Sequence, residues 1–278
     1  MSAPVARGSV RGARAALGRI DPQVARRAIR DGLSVVGLGM VWLIYQSPGP
    51  GYDFFAYWSV DPADPYAVRE GFGAFHYTPP FVWLAGPLRV IPWPFAYWVW
   101  AAILVAVLVW LARDWALAWL AFPPVASELY HGNIHLLIAA FLVTSLRRPA
   151  VYLFLPLSKV TPGVSALWFL ARREWRSLAI ALGATAVVVL ISGVIAPGAW
   201  LSWLAHISSD ATRAPNLIPI PVVVRLPFAA AIVLLAARWD RPWLLAPALV
   251  LSLPLLWVHG FAILVALTPL VRWQRSRG

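Results

Sequence analysis

The chain is expected to fold as an all-α, polytopic integral membrane protein, a bundle of roughly nine or ten membrane segments with short hairpins and an interfacial helix. Three observations predict this. Of its 278 residues 61% are hydrophobic and 12% charged, with a mean hydropathy of +0.72, whereas soluble domains carry about a quarter charged residues. Apolar runs of about 13 to 22 residues recur along the sequence, near the roughly 20 residues that cross a hydrocarbon core as helix. Basic residues gather in the short stretches between those runs.

That last feature decides what the net charge of +12 means. Arg7, Arg11, Arg14, Arg19, Arg26, Arg27 and Arg30 precede the first run, and Arg113, Arg147/Arg148, Arg172/Arg173/Arg176, Arg238/Arg241 and Arg272/Arg275/Arg277 fall between or after later ones. Short basic loops stay on the cytoplasmic side. The pattern lacks the interleaved basic and aromatic residues of a nucleic-acid module, so no nucleic-acid partner is expected.

The elements follow in order. Residues 1–30 form an Arg-rich cytoplasmic tail able to touch anionic lipid; no small-residue cleavage site follows the first apolar run, which favours a tail over a targeting peptide. Residues 31–271 form one transmembrane domain, and 272–278 a basic cytoplasmic tail. Within the domain, 31–46 run outward, 48–77 make an external loop, and 78–91, apolar but broken by prolines, lie at the outer interface. Residues 93–112 run inward, 115–129 outward, HGN at 131–133 turns outside, and 134–146 return. The stretch 150–171 begins and ends beside cytoplasmic arginines, so it must be a hairpin of two short helices meeting near Lys159 and Pro162. Then 177–196 run out, 197–221 make a second external loop, 222–237 run in, and 243–258 with 260–271 form a last hairpin. Several runs are too short to span upright, so half-helices and re-entrant pieces are expected.

This topology places a multi-pass protein in the plasma membrane with its N-terminus cytoplasmic. The charge pattern that sets this topology does not involve the histidines, yet His76, His131, His135, His206 and His259 all fall on or near its outer side. The absence of cysteine removes disulfides, thiolate metal sites and cysteine nucleophiles. A Walker loop, a GxGxxG turn and an HExxH helix are also missing, so neither cofactor nor metal is expected.

Chemistry-bearing groups therefore collect at the outer face. Asp53, in GYDFFAYW, has no turn proline beside it, unlike Asp61 and Asp64 in VDPADPY, whose simplest role is turn capping. A carboxylate beside the membrane surface can act as a general base on a sugar hydroxyl; a solvated loop carboxylate is the alternative. Lys159 is the only lysine among 23 Lys and Arg residues. At the tip of a membrane hairpin, its compact ammonium suits a lipid phosphate, or else snorkels to the interface. Arg213 and Arg225, in and after the second external loop, are candidates to join it on the anion. Tyr57, His76, Tyr77, Glu128, His131 and Asn133 are candidate contacts to sugar or acceptor, with the aromatics equally suited to an interfacial belt.

The motifs DFFAYW, DPY, FHYTPPFVWLAGPLRVIPWPFAYWVW, HGNIHLLIAAFLV, SKVTPGVSALWFLARREWRS and LWVHGFAIL, in that order between about residues 50 and 262, resemble glycosyltransferase family 87. That family belongs to the GT-C superfamily of membrane enzymes using polyprenyl-phosphate sugars. The resemblance implies a GT-C-like bundle and a mannosyltransferase that moves its sugar, with inversion, from a polyprenyl-phosphate donor to a lipid or glycan acceptor at the outer face. It implies Asp53 as catalytic base and aligns Gly132 and Asn133 with the family's turn, Lys159 and Pro162 with its K-x-x-P, and Trp257 and His259 with its W-x-H. His259 would then orient Asp53 or donate to the leaving phosphate; its structural alternative is a core histidine bonded to a carbonyl near Pro254. Asn133 stands where the family commonly has Gln, and the chain is short for the family. A lipid or polyprenyl-phosphate flippase and a catalytically degenerate paralogue acting as scaffold remain the competing readings.

Overall fold

The structure is a computed structural model that describes residues 21–208 and 219–276. Secondary structure among the described residues is entirely helical: α1 (Pro22–Ile44), α2 (Tyr52–Ser59), α3 (Pro79–Ala85), α4 (Trp93–Ala112), α5 (Ala116–Trp119), α6 (Pro123–His131) and α7 (His135–Ser145) come first. There follow α8 (Phe154–Ser158), α9 (Leu167–Ala171), α10 (Trp175–Ile195), α11 (Pro197–Ser208), α12 (Val222–Arg238), α13 (Leu245–Ser252) and α14 (Leu267–Arg275), with 3₁₀ segments at Thr161–Ala166 and Val258–Ala266.

Helix α1 starts well before the expected boundary at residue 31. Pro22 stands in its first turn, where a missing N–H costs nothing, and the Asp21 carboxylate accepts the Gln23 N–H at 2.8 Å. Its 23 residues make a rod about 34 Å long. One residue, Gly37, is buried, and a Cβ there would collide with the backbone of Leu117 and Ala121. The missing side chain is what lets α1 lie against the chain after α4, the close small-residue approach common between membrane helices. Tyr45 at the far end of α1 bonds Tyr97 near the start of α4, hydroxyl to hydroxyl at 2.8 Å, so the two helices run antiparallel.

Two helical stretches, Trp93–Trp119 and Trp175–Ile195, are long and apolar enough to cross a bilayer by length and composition. Of the remaining expected runs, 31–46 lies mostly within the longer α1 and 222–237 within α12, while the others come in shorter pieces. The run expected over 115–129 divides into α5 and α6, because Pro123 and Pro124 supply no N–H to continue a helix across Phe122. The expected hairpin of 150–171 is present as α8 and the 161–171 pieces, parted at Lys159, whose backbone is extended (φ −145°, ψ 108°). Helix α12 carries Pro227 in its interior.

The core is formed where α4, α7, α13 and the 258–266 segment meet, with Leu104, Leu136, Ile138, Leu249 and Ile263 fully buried. Around it the surface is apolar. Helix α10 buries only Ala181 and Ser192 and exposes Leu190, Val194 and Ile195 by 67% or more. Exposed apolar surface on that scale needs a bilayer to cover it.

Candidate functional site

Asp53 is positioned by what precedes it. Gly51 adopts a left-handed conformation (φ 86°, ψ 22°), its N–H donates to Tyr130 O at 2.7 Å, and a Cβ there would press on the rings of Tyr97 and Trp93. Helix α2 therefore starts from a point anchored to α6 and α4. Asp53 sits in its first turn, where the helix dipole favours a carboxylate. The next residue, Phe54, stacks on Trp93 and Trp100 with ring centres 5.8 and 5.3 Å away. Packing of Phe54 thus fixes which way Asp53 faces.

The HGN turn is built against that same phenylalanine. Gly132 ends α6 in the left-handed region (φ 70°), a Cβ on it would lie 2.8 Å from the Phe54 Cβ, and its carbonyl accepts Trp100 Nε1–H at 2.7 Å. Asn133 follows, its Oδ1 accepting the Ile134 N–H at 2.7 Å. Glu128, completely buried, turns back on the next helix: Oε1 accepts the His135 and Leu136 N–H groups at 2.5 and 3.1 Å, and Oε2 accepts His135 Nδ1–H at 3.0 Å. It is a cap for α7.

The 258–266 segment packs against α6 and α7 and delivers His259 to this turn. His259 Nε2 lies 3.4 Å from Asp53 Oδ2 and 3.4 Å from Asn133 Nδ2. The two neighbours make opposite demands, since the carboxylate calls for an N–H and the amide for a lone pair. His131 and His135 flank the same ring at 5.3 and 5.2 Å between centres. The Asp53 side chain remains 23% exposed while that of His259 is 10% exposed, so Asp53 is the member open to a ligand.

Lys159 enters from the hairpin. Thr78 Oγ1 donates to Leu157 O at 2.5 Å, tying the end of the first loop to α8, and the Lys159 ammonium lies 5.5 Å from the centre of the Tyr77 ring. From there its charge acts on both Asp53 and Glu128. Tyr77 in turn bonds Tyr57, hydroxyl to hydroxyl at 2.6 Å, and its carbonyl accepts from Tyr66 Oη at 2.9 Å. His76 Nδ1 and His206 Nε2 are 2.8 Å apart in stacked rings, joining the first loop to α11. Burial first, then the neighbouring His206 and Lys159 charges, push the His76 imidazole down to about 4.

The structure thus brings together Asp53, His259, Asn133, His131, Glu128, Lys159, Tyr77, Tyr57 and His76. Three expectations change in it. Glu128 and Tyr57, fully and almost fully buried, have no surface to offer a sugar and instead hold the wall of the site. Arg225 is buried and donates from Nε, Nη1 and Nη2 to the carbonyls of Ile220, Leu251 and Pro254, so it clamps the backbone where a phosphate contact was expected. Arg213 lies outside the described residues. One member was missed as a site residue: His135, whose Nε2 is buried without a partner among the described residues, beside the His259 ring. Its signal was the seven-residue step from Glu128 across a glycine turn.

Searches of curated proteins and of solved structures each return no match. The sequence profile of glycosyltransferase family 87 matches residues 75–277, a span that holds His76, Glu128, Asn133, Lys159 and His259 and begins after Asp53. With well over half of it matched, the chain belongs to glycosyltransferase family 87 and is a membrane glycosyltransferase.

Proposed function

We propose that the protein transfers a hexosyl unit, with mannose the leading candidate, from a polyprenyl-phosphate donor to a hydroxyl of a lipid-linked or glycan acceptor at the outer membrane face. The observation that carries this reading is the 3.4 Å contact between Asp53, the partly exposed carboxylate, and His259, which meets it from the opposite end of the chain. Asp53 takes the proton of the acceptor hydroxyl as its oxygen attacks the anomeric carbon. The bond from that carbon to the phosphate oxygen breaks, the electron pair leaves with the polyprenyl phosphate, and the configuration inverts. Lys159 supplies the positive charge on which the departing phosphate settles. His259 orients Asp53 by turning Nε2–H toward its carboxylate, and Asn133 lines the same imidazole. The polyprenyl chain lies along the apolar exterior of the bundle, which gives a sugar enzyme its reason for a membrane body.

The test is incubation of membranes holding the protein with radiolabelled polyprenyl-phosphate mannose, glucose or arabinose, followed by lipid extraction. Mannose or glucose label moving into a new glycosidic product supports the reading and names the sugar, whereas transfer of arabinose label alone would make the unit a pentosyl one. Label that crosses the bilayer still attached to its donor would make the protein a flippase.

A further inference from the structure

At the end of the bundle opposite Asp53, a cleft of about 300 Å³ is lined by Arg26, Arg27 and Arg30 of α1, Arg272 of α14, and Asp114 and Trp115 of the link after α4. Four guanidiniums face one carboxylate. Arg30 is also bonded to Asp31 at 2.7 Å, Arg272 reaches the Ala112 carbonyl at 3.5 Å, and the Arg26 guanidinium lies 5.6 Å over the Trp115 ring. Two separate helices thus converge four guanidiniums on one concavity that holds a single carboxylate, an excess of positive charge that an anion relieves.

Depth identifies the anion. Arg26 and Tyr45 stand 19 residues apart on one continuous helix, about 28 Å along its axis, close to the roughly 30 Å of a hydrocarbon core. Tyr45 sits at the end of α1 where Tyr97, Tyr130 and the Asp53 helix gather. The cleft accordingly lies at the headgroup level of the other leaflet, and above it α1 exposes Leu33 and Val36 as a wall for acyl chains. Planar guanidinium forks match phosphate oxygens two at a time.

We propose that this cleft binds the phosphodiester headgroup of an anionic phospholipid, one molecule per chain. The test uses the purified full chain in detergent, delipidated, with melting followed by tryptophan fluorescence and bound lipid counted by native mass spectrometry. Phosphatidylglycerol is expected to raise the melting temperature and to remain as one bound molecule, whereas phosphatidylcholine does neither. Arg26→Gln with Arg272→Gln should weaken the apparent lipid affinity by tenfold or more. Arg147→Gln with Arg148→Gln removes the same charge from exposed positions just after α7, the same end of the bundle, and should leave affinity within about twofold. Equal losses in both pairs would mean diffuse attraction and overturn the site. Equal binding of phosphatidylcholine, or inorganic phosphate matching the lipid at equal concentration, would overturn the lipid assignment. Should the cleft variant fail to fold, the lipid selectivity of the unmodified protein alone decides.

Discussion

Lys159 and His76 show how single side chains carry different duties within one site. The Lys159 ammonium faces an aromatic ring and shares the field of two carboxylates, so removing its charge should be felt by a phosphate before it is felt by a hydroxyl. Lys159→Met is expected to raise the apparent KM for donor by about tenfold or more with little change in that for acceptor, and Lys159→Arg should restore it only in part because a planar fork does not replace a point charge. Unchanged donor KM in both would return Lys159 to a snorkelling role. His76 is a titration question. Its proton affinity is lowered by burial, to about 4 in the fold against 6.5 in the unfolded chain. Between those values the unfolded state binds the proton and the native state does not, so stability is lost as pH falls from 6.5 towards 4. His76→Gln should make the fall in melting temperature over that interval shallower, and an unaltered pH slope would remove His76 as a contributor.

At the scale of elements, the HGN turn tests whether α2 is held from behind. Gly132→Ala places a Cβ on a left-handed residue, at a cost of about 1–2 kcal/mol, and drives it against Phe54. Both melting temperature and turnover should fall together, since Phe54 and Asp53 share a helix. Gly39→Ala in α1, with open space around the added methyl, is the control: it should leave turnover unchanged and the melting temperature unchanged or slightly raised, since alanine favours a helix interior over glycine; a fall equal to that of Gly132→Ala would break the argument. Much of this layer was legible in the sequence. Helix α4 spans the expected 93–112, the turn falls at HGN, and the hairpin parts at Lys159. The division of 115–129 was not read, because hydropathy averages over a window while a Pro-Pro pair acts on one hydrogen bond at a time. The burial of Tyr57 and Glu128 and the clamp made by Arg225 escaped for a different reason: which way a side chain faces depends on tertiary packing and on individual partners, Tyr77 for Tyr57, the start of the next helix for Glu128 and Leu251 for Arg225, none of which hydropathy names.

The whole molecule has two chemically distinct ends. One gathers histidines, carboxylates and the sole lysine around Asp53; the other gathers arginines. That polarity was readable from charge patterning alone, whereas the meeting of residues 53, 133 and 259 in one contact is tertiary and no spacing rule announces it. Because the family match begins at residue 75, the weight on Asp53 rests on its geometry. The direct measurement is the initial rate of sugar transfer by Asp53→Asn beside the unaltered protein, at saturating donor, with melting temperature recorded for both. Asparagine keeps the shape and loses the base, so transfer should drop by about 10²-fold or more while the melting temperature stays within a degree or two. A variant that folds normally and transfers at nearly the full rate would contradict the assignment of Asp53 as the base.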